Sequence, residues 1–226
     1  MEIRSLSLTR ERAVIDAFYE RAGIRLDAAV DSLSGVFDGE TLLALGGTAG
    51  NAIRSLAVER TARGEGLLPM LVTHLYKQLK GEGKTNVFVV TKPEYAPLFA
   101  SLCFYERVRT RDAALLESRR DGLERFLSAL PKADGAIVMN ADPFTNGHLY
   151  LVRTAAEQCD RLLVLVLSKD AAHVPADARL ELVKKGCAGL PNVSVFPGGD
   201  YVISSATFPD YFFKDKPKYL FWQADE

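Results

Sequence analysis

The stretch Ala136-Ile137-Val138-Met139-Asn140-Ala141-Asp142-Pro143-Phe144-Thr145-Asn146-Gly147-His148 constrains the fold of this chain more than any other. Its apolar start reads as a strand, Gly135 to Asn140, and helical spacing runs from about Gly147 to Gln158. Further apolar strands at Leu162 to Leu167 and Val193 to Phe196, with a helix at Ala178 to Ala188, repeat the alternation. Continuous apolar strands separated by amphipathic helices specify a parallel sheet covered on both faces. The first strand-to-helix junction is also a chemical feature. A helix start presents unpaired N–H groups and a partial positive charge, where an anion such as triphosphate settles. Gly147 lets the backbone approach a ligand, His148 in the first turn can donate to a phosphate oxygen, and Thr145 can add its hydroxyl. A plainer reading makes His148 a helix-start residue bonded to a nearby carbonyl. Lys169, just beyond the second strand, either reaches a phosphate from the carboxyl edge of the sheet or is a solvated loop lysine. His173 has no assignable partner.

Before Pro131 the pattern differs. A strand (Glu2 to Leu6) precedes a helix (Arg10 to Arg21) whose Val14, Ala17, Phe18 and Ala22 follow helical spacing. Asp38-Gly39 suggests a hairpin with a type I′ turn. A strand at Ile53 to Val58 leads through Arg63-Gly64-Glu65-Gly66 into a helix from Leu67 to Lys80. Next come a strand (Asn86 to Thr91), a short helix (Glu94 to Leu102) and strands near Phe104 and Leu115; the helix Arg119 to Leu130, mostly charged on one face, reads as a connector. Pro131-Lys132-Ala133-Asp134-Gly135 breaks the pattern, so the expected domains are residues 1–130 and 131–226. That division suits 226 residues, since a domain averages roughly 150.

Composition removes several function classes. With 28 basic against 29 acidic side chains the net charge is −1, too little positive field for binding a nucleic-acid backbone. Apolar residues at 48% and charged ones at 25% fit a globular chain rather than a disordered one. No apolar run nears the roughly 20 residues of a membrane helix, and the N-terminus has no apolar signal core, so a cytoplasmic protein is expected. Cys103, Cys159 and Cys187 form no C-x-x-C pair and do not cluster with His74, His148 or His173, so they read as small buried hydrophobes without a metal site.

The T-x-G-H pattern of Thr145 to His148 resembles the HxGH-type nucleotidyltransferase superfamily, which holds ATP or CTP in such a loop, usually with Mg²⁺. Two further blocks narrow the likeness: Arg179 to Lys184 followed by Leu190 to Val193, and Pro197 to Asp215. Together these segments resemble the citrate lyase ligase family over nearly the whole chain, up to about Lys216. The resemblance implies an acid-thiol ligase that activates acetate with ATP through an acetyl adenylate. It would then acetylate the thiol of the CoA-like prosthetic group on the acyl carrier subunit of citrate lyase, releasing AMP and pyrophosphate. It assigns His148 and Thr145 to catalysis and Asn140, Phe144, Gly147 and Lys169 to nucleotide binding. No metal ligand is assigned.

The N-terminal segment resembles the GNAT acetyltransferase fold, an α+β domain preceding the Rossmann-like one. In that likeness Arg63, Gly64 and Gly66 would hold the pyrophosphate of CoA or a pantetheine group. Departures weaken an acetyltransferase reading: Thr61 replaces the usual Gln or Arg, Pro93 an Asn, Phe99 the tyrosine often used as general acid, and Cys103 a late glycine. The family resemblance also implies a chain continuing beyond Glu226. The second domain is therefore expected to be incomplete, lacking a fourth strand or keeping only Lys218 to Gln223 in its place. It would also lack the I-S-x-T-x-x-R signature, which Ile203 to Thr207 does not supply. Its first strand would then be an open edge, unless the apolar tail Tyr219 to Gln223 folds over it. The alternatives are a CoA-dependent N-acetyltransferase acting through the first domain, or a non-catalytic nucleotide- or carrier-binding remnant.

Overall fold

The computed structural model describes residues 1–168 and 173–202. They divide into two compact units, Met1–Arg120 and the described residues from Asp121 onward. In the first, the elements are β1 (Glu2–Leu6), α1 (Arg12–Ala22), β2 (Ser32–Asp38), β3 (Thr41–Ala49), β4 (Ala52–Val58), α2 (Leu67–Gly81), β5 (Phe88–Thr91), α3 (Ala96–Ser101), β6 (Tyr105–Arg109) and β7 (Ala114–Glu117). Its seven strands lie in the order β1-β2-β3-β4-β5-β7-β6. All pairs are antiparallel except β4–β5, whose ladder covers only Ala52–Phe88 and Ile53–Val89.

Helices cover both faces of that sheet. Because strand side chains alternate, Leu33 and Phe37 of β2 pack with Ile15, Phe18 and Tyr19 of α1, while Val36 joins Leu71, Leu75 and Leu79 of α2. The hairpin turn falls one residue later than expected, since Asp38 pairs with Thr41 and leaves Gly39-Glu40 as the central residues. Only Gly39 has positive φ (56°), the type II′ pattern rather than I′. Cys103 corrects the reading of the cysteines as buried hydrophobes, because it is exposed. It ends α3 at φ 62°, its N–H bonding Ala100 O while the Phe104 N–H bonds Phe99 O. This is a Schellman cap, whose left-handed position favours the glycine that Cys103 replaces.

The second unit contains α4 (Gly122–Ala129), β8 (Gly135–Met139), α5 (Asn146–Ala156), β9 (Leu162–Val166), α6 (Ala176–Cys187) and β10 (Val193–Pro197). Three parallel strands lie in the order β10-β9-β8. β9 is central and buried at all five positions. Val152 of α5 and Val183 and Cys187 of α6 share one core with Met139, Val164 and Val166, so both crossover helices lie on the same face. The order explains this: β8, β9 and β10 follow one another in a single direction, and right-handed crossovers then fall on one side. On the other face Leu127 and Leu130 line a hollow with Ala136 and Leu163. The helix expected as a connector, α4, therefore groups with the second unit, and the units divide ten residues before the expected boundary. Its Phe126 ring lies 5.1 Å from that of Tyr201. Among the described residues β8 pairs only with β9 and is an edge strand; Ile203 to Thr207, Lys218 to Gln223 and Lys169 lie outside those residues.

Candidate functional site

Thr145, in extended conformation, is the N-cap of α5. Its side chain accepts from the His148 backbone, and the Thr145 N–H donates to His148 Nδ1 at 3.1 Å, a capping box with imidazole where glutamate is usual. Thr145 Oγ1 also lies 2.8 Å from Nδ1. Since Nδ1 accepts a backbone N–H, the neutral ring carries its proton on Nε2, as a free donor. Phe144 stacks on the imidazole at 5.7 Å, and its own ring sits where a Cβ at Gly186 would collide with it.

Gly147 needs no such space. A Cβ there would meet only Thr145 Oγ1, at 3.6 Å, an ordinary contact. Among the described residues nothing requires glycine at this exposed position. Its absent side chain leaves the first-turn amides open to an approaching anion.

Upstream, the end of β8 is tied to the segment entering α6. Arg179, fully buried, donates through Nη1 to Asn140 O (2.7 Å) and Oδ1 (2.8 Å), and through Nε to Val174 O (2.9 Å). With Oδ1 taken, the NH₂ is the part of this exposed residue's carboxamide left to donate. The Asp142 carboxylate returns the tie, accepting the backbone N–H groups of His173 and Val174, each at 2.8 Å. The His173 N–H above all, with that of Val174 and the His173 ring adding to it, holds the Asp142 carboxyl below the usual carboxylate range. Sequence reasoning missed Arg179, Asp142 and the partner of His173. One signal was present: Arg179, Val183 and Cys187 stand at i, i+4 and i+8, the buried face of α6.

In the first unit, Gly64 (φ 92°) and Gly66 (φ 78°) shape the turn into α2, with nothing within 4 Å of a Cβ on either. Arg63 beside them is exposed. Phe99, where an acetyltransferase would carry its proton donor, is 2% exposed and packs edge-on against Phe104. Among the described residues no three His, Cys, Asp or Glu side chains group to hold a metal, and no helix is long and apolar enough to cross a membrane.

Residues 134–224 match the family described as "Citrate lyase ligase C-terminal domain". A citrate (pro-3S)-lyase ligase of Escherichia coli strain K12 is 38% identical over 217 residues, 93% of this chain and 62% of that protein. A ligase of the same name from Haemophilus influenzae is 35% identical over 225 residues, 96% of this chain and 67% of the relative. The chain thus spans about two thirds of the length of these relatives. A phosphopantetheine adenylyltransferase of a Nocardioides species is 47% identical over 57 residues, 24% of this chain and 35% of its own. Among solved structures, the ribosomal-protein-S18-alanine N-acetyltransferase of Escherichia coli covers 51% of this chain and 91% of its own, at 17% identity and TM-score 0.44.

Proposed function

The chain belongs to the citrate (pro-3S)-lyase ligase family, and we propose that it activates acetate with ATP and transfers the acetyl group to the thiol on the acyl carrier subunit of citrate lyase. The observation that carries this reading is the α5 N-terminus, where a donor tautomer of His148 is locked beside open first-turn amides. Acetate oxygen attacks the α-phosphorus in line, the bond to the bridging oxygen breaks, and pyrophosphate leaves toward these donors. Donors already aimed at the charge that develops stabilise the transition state without reorganising. Thr145 orients His148, Phe144 backs the ring, Gly147 clears the approach, and the Asn140 NH₂ group faces the nucleotide. Lys169 is proposed to reach the phosphates. Mg²⁺ is proposed to enter with the triphosphate as part of the substrate, since the described residues group into no cage for it.

The Arg63-Gly64-Glu65-Gly66 turn is proposed to receive the phosphates of the CoA-like group. Phe99, a buried hydrocarbon ring, offers no proton to a departing thiolate, which disfavours an amine acetyltransferase. The test is acetate-dependent exchange of labelled pyrophosphate into ATP. His148→Ala is expected to lower exchange by about 100-fold or more, the scale of removing one charge-stabilising donor. Exchange at the parent rate would remove His148 from the reaction.

A further inference from the structure

His173 is 98% exposed, yet its ring is tethered: Nδ1 lies 3.2 Å from Asp142 Oδ2, the oxygen that also accepts the His173 backbone N–H. Asp142 is 10% exposed and ionised at neutral pH, so it can only accept. The Nδ1 of His173 must therefore carry the proton, and its Nε2 presents a lone pair to solvent. His148 has the opposite arrangement, with Nδ1 accepting and Nε2–H free. The anchors of the two rings, Asp142 and Thr145, are three residues apart, a span of at most about 11 Å. One loop thus holds a fixed donor and a fixed acceptor at the carboxyl edge of the sheet. Asp142 is the charged group against His173 among the described residues; on its own segment Asp177 follows in the first turn of α6.

Resting on the ligase reading, we propose that His173 is the general base of the second half-reaction, taking the proton of the acceptor thiol. An alkyl thiol is mostly protonated at neutral pH, its ordinary pKa being about 8.5, whereas the attacking species is the thiolate. As Nε2 takes the S–H proton, sulfur bonds to the acetyl carbon. The acyl C–O bond to the phosphate breaks, and AMP leaves with that electron pair. Asp142 is the positioning residue, fixing the tautomer and holding the imidazolium that forms.

The experiment compares two rates in the full chain, pyrophosphate exchange and acetyl transfer to deacetylated citrate lyase. His173→Ala removes only an exposed ring and keeps both backbone bonds to Asp142, so the fold is retained. The ratio of transfer to exchange is expected to fall about 100-fold at pH 7, the lower range for a general base, and to recover toward pH 9 as the thiol ionises unaided. His148→Ala, by contrast, lowers both rates together. An unchanged ratio and pH profile in His173→Ala, with exchange present, overturns the assignment alone; a parent chain without exchange overturns the ligase reading and this step with it. Imidazole ¹⁵N spectra give an independent readout: Nδ1–H at His173 and Nε2–H at His148 are expected, and Nε2–H at His173 refutes the base.

Discussion

Replacing Arg179 with methionine tests whether the tie between β8 and α6 holds the site. The guanidinium serves at least three acceptors within 3 Å, the Asn140 carbonyl and side-chain oxygens and the Val174 carbonyl. Hydrogen bonds from a charged donor contribute roughly 1.5–3 kcal/mol each, a gross loss of about 6 kcal/mol. Two effects offset it. Removing the buried cation recovers its desolvation cost of several kcal/mol, and water reaches part of the orphaned acceptors because Asn140 is exposed and Val174 only half-buried. The expected net is about 2 kcal/mol of destabilisation, or a fall of about 8–16 °C in Tm for a unit of this size. Arg179→Lys should recover less than half, since an ammonium lacks the fork that spans both Asn140 oxygens and Val174. Calorimetry of the full chain, with amide resonances of β8 to β10 identifying the affected transition, supplies the measurement. A transition unmoved in the methionine variant would refute the reasoning, because water alone would then satisfy every acceptor that Arg179 serves.

Two other perturbations have definite signs. Cys103→Gly should stabilise the first unit by about 0.5–1 kcal/mol: relief of a left-handed L-residue gives about 1–2 kcal/mol, and the extra freedom of glycine in the unfolded chain takes back about 0.5–1. Cys103→Ala should give no gain, and an equal shift of both urea midpoints would show that backbone strain is not the cause. Asp142 titrates with its folded pKa depressed, so its contribution is present above the unfolded value of about 3.9 and is lost as pH falls through the lower folded value. The His173 and Val174 amide shifts should therefore titrate with a midpoint below about 3.9, and a midpoint at or above it contradicts the assigned bonds.

What the sequence made legible was local. The strand Glu2–Leu6 has the expected limits, and the Thr145-to-His148 turn announces its cap and its open glycine within four residues. What stayed hidden depends on distant partners. His173 has no meaning without Asp142, 31 residues earlier, and the sequence assigns Arg179 no role of its own because its acceptor, Asn140, lies 39 residues away. The charge pattern of α4 suggested a solvated connector, but one aromatic, Phe126 against Tyr201, outweighs it. The fourth-strand question falls in residues 203–226, outside those described.

The imidazole in the capping box resolves a conflict between stability and binding. Glutamate at His148 would make the same reciprocal cap and add about 0.3–1 kcal/mol by facing the positive helix end. It would also stand where phosphates are proposed to arrive. Two like charges 4 Å apart repel by about 4 kcal/mol at an effective dielectric of 20, several times the gain. Neutral imidazole accepts the Thr145 N–H through Nδ1 without cancelling the helix charge, and the same bond turns Nε2 into a donor. At Asp142 the carboxylate keeps its charge, but its oxygens are occupied by two backbone N–H groups and the His173 ring, whose dipoles offset part of that charge. Both substitutions of function rest on hydrogen bonds internal to the protein, which is how a loop with no net cationic excess can be prepared for triphosphate.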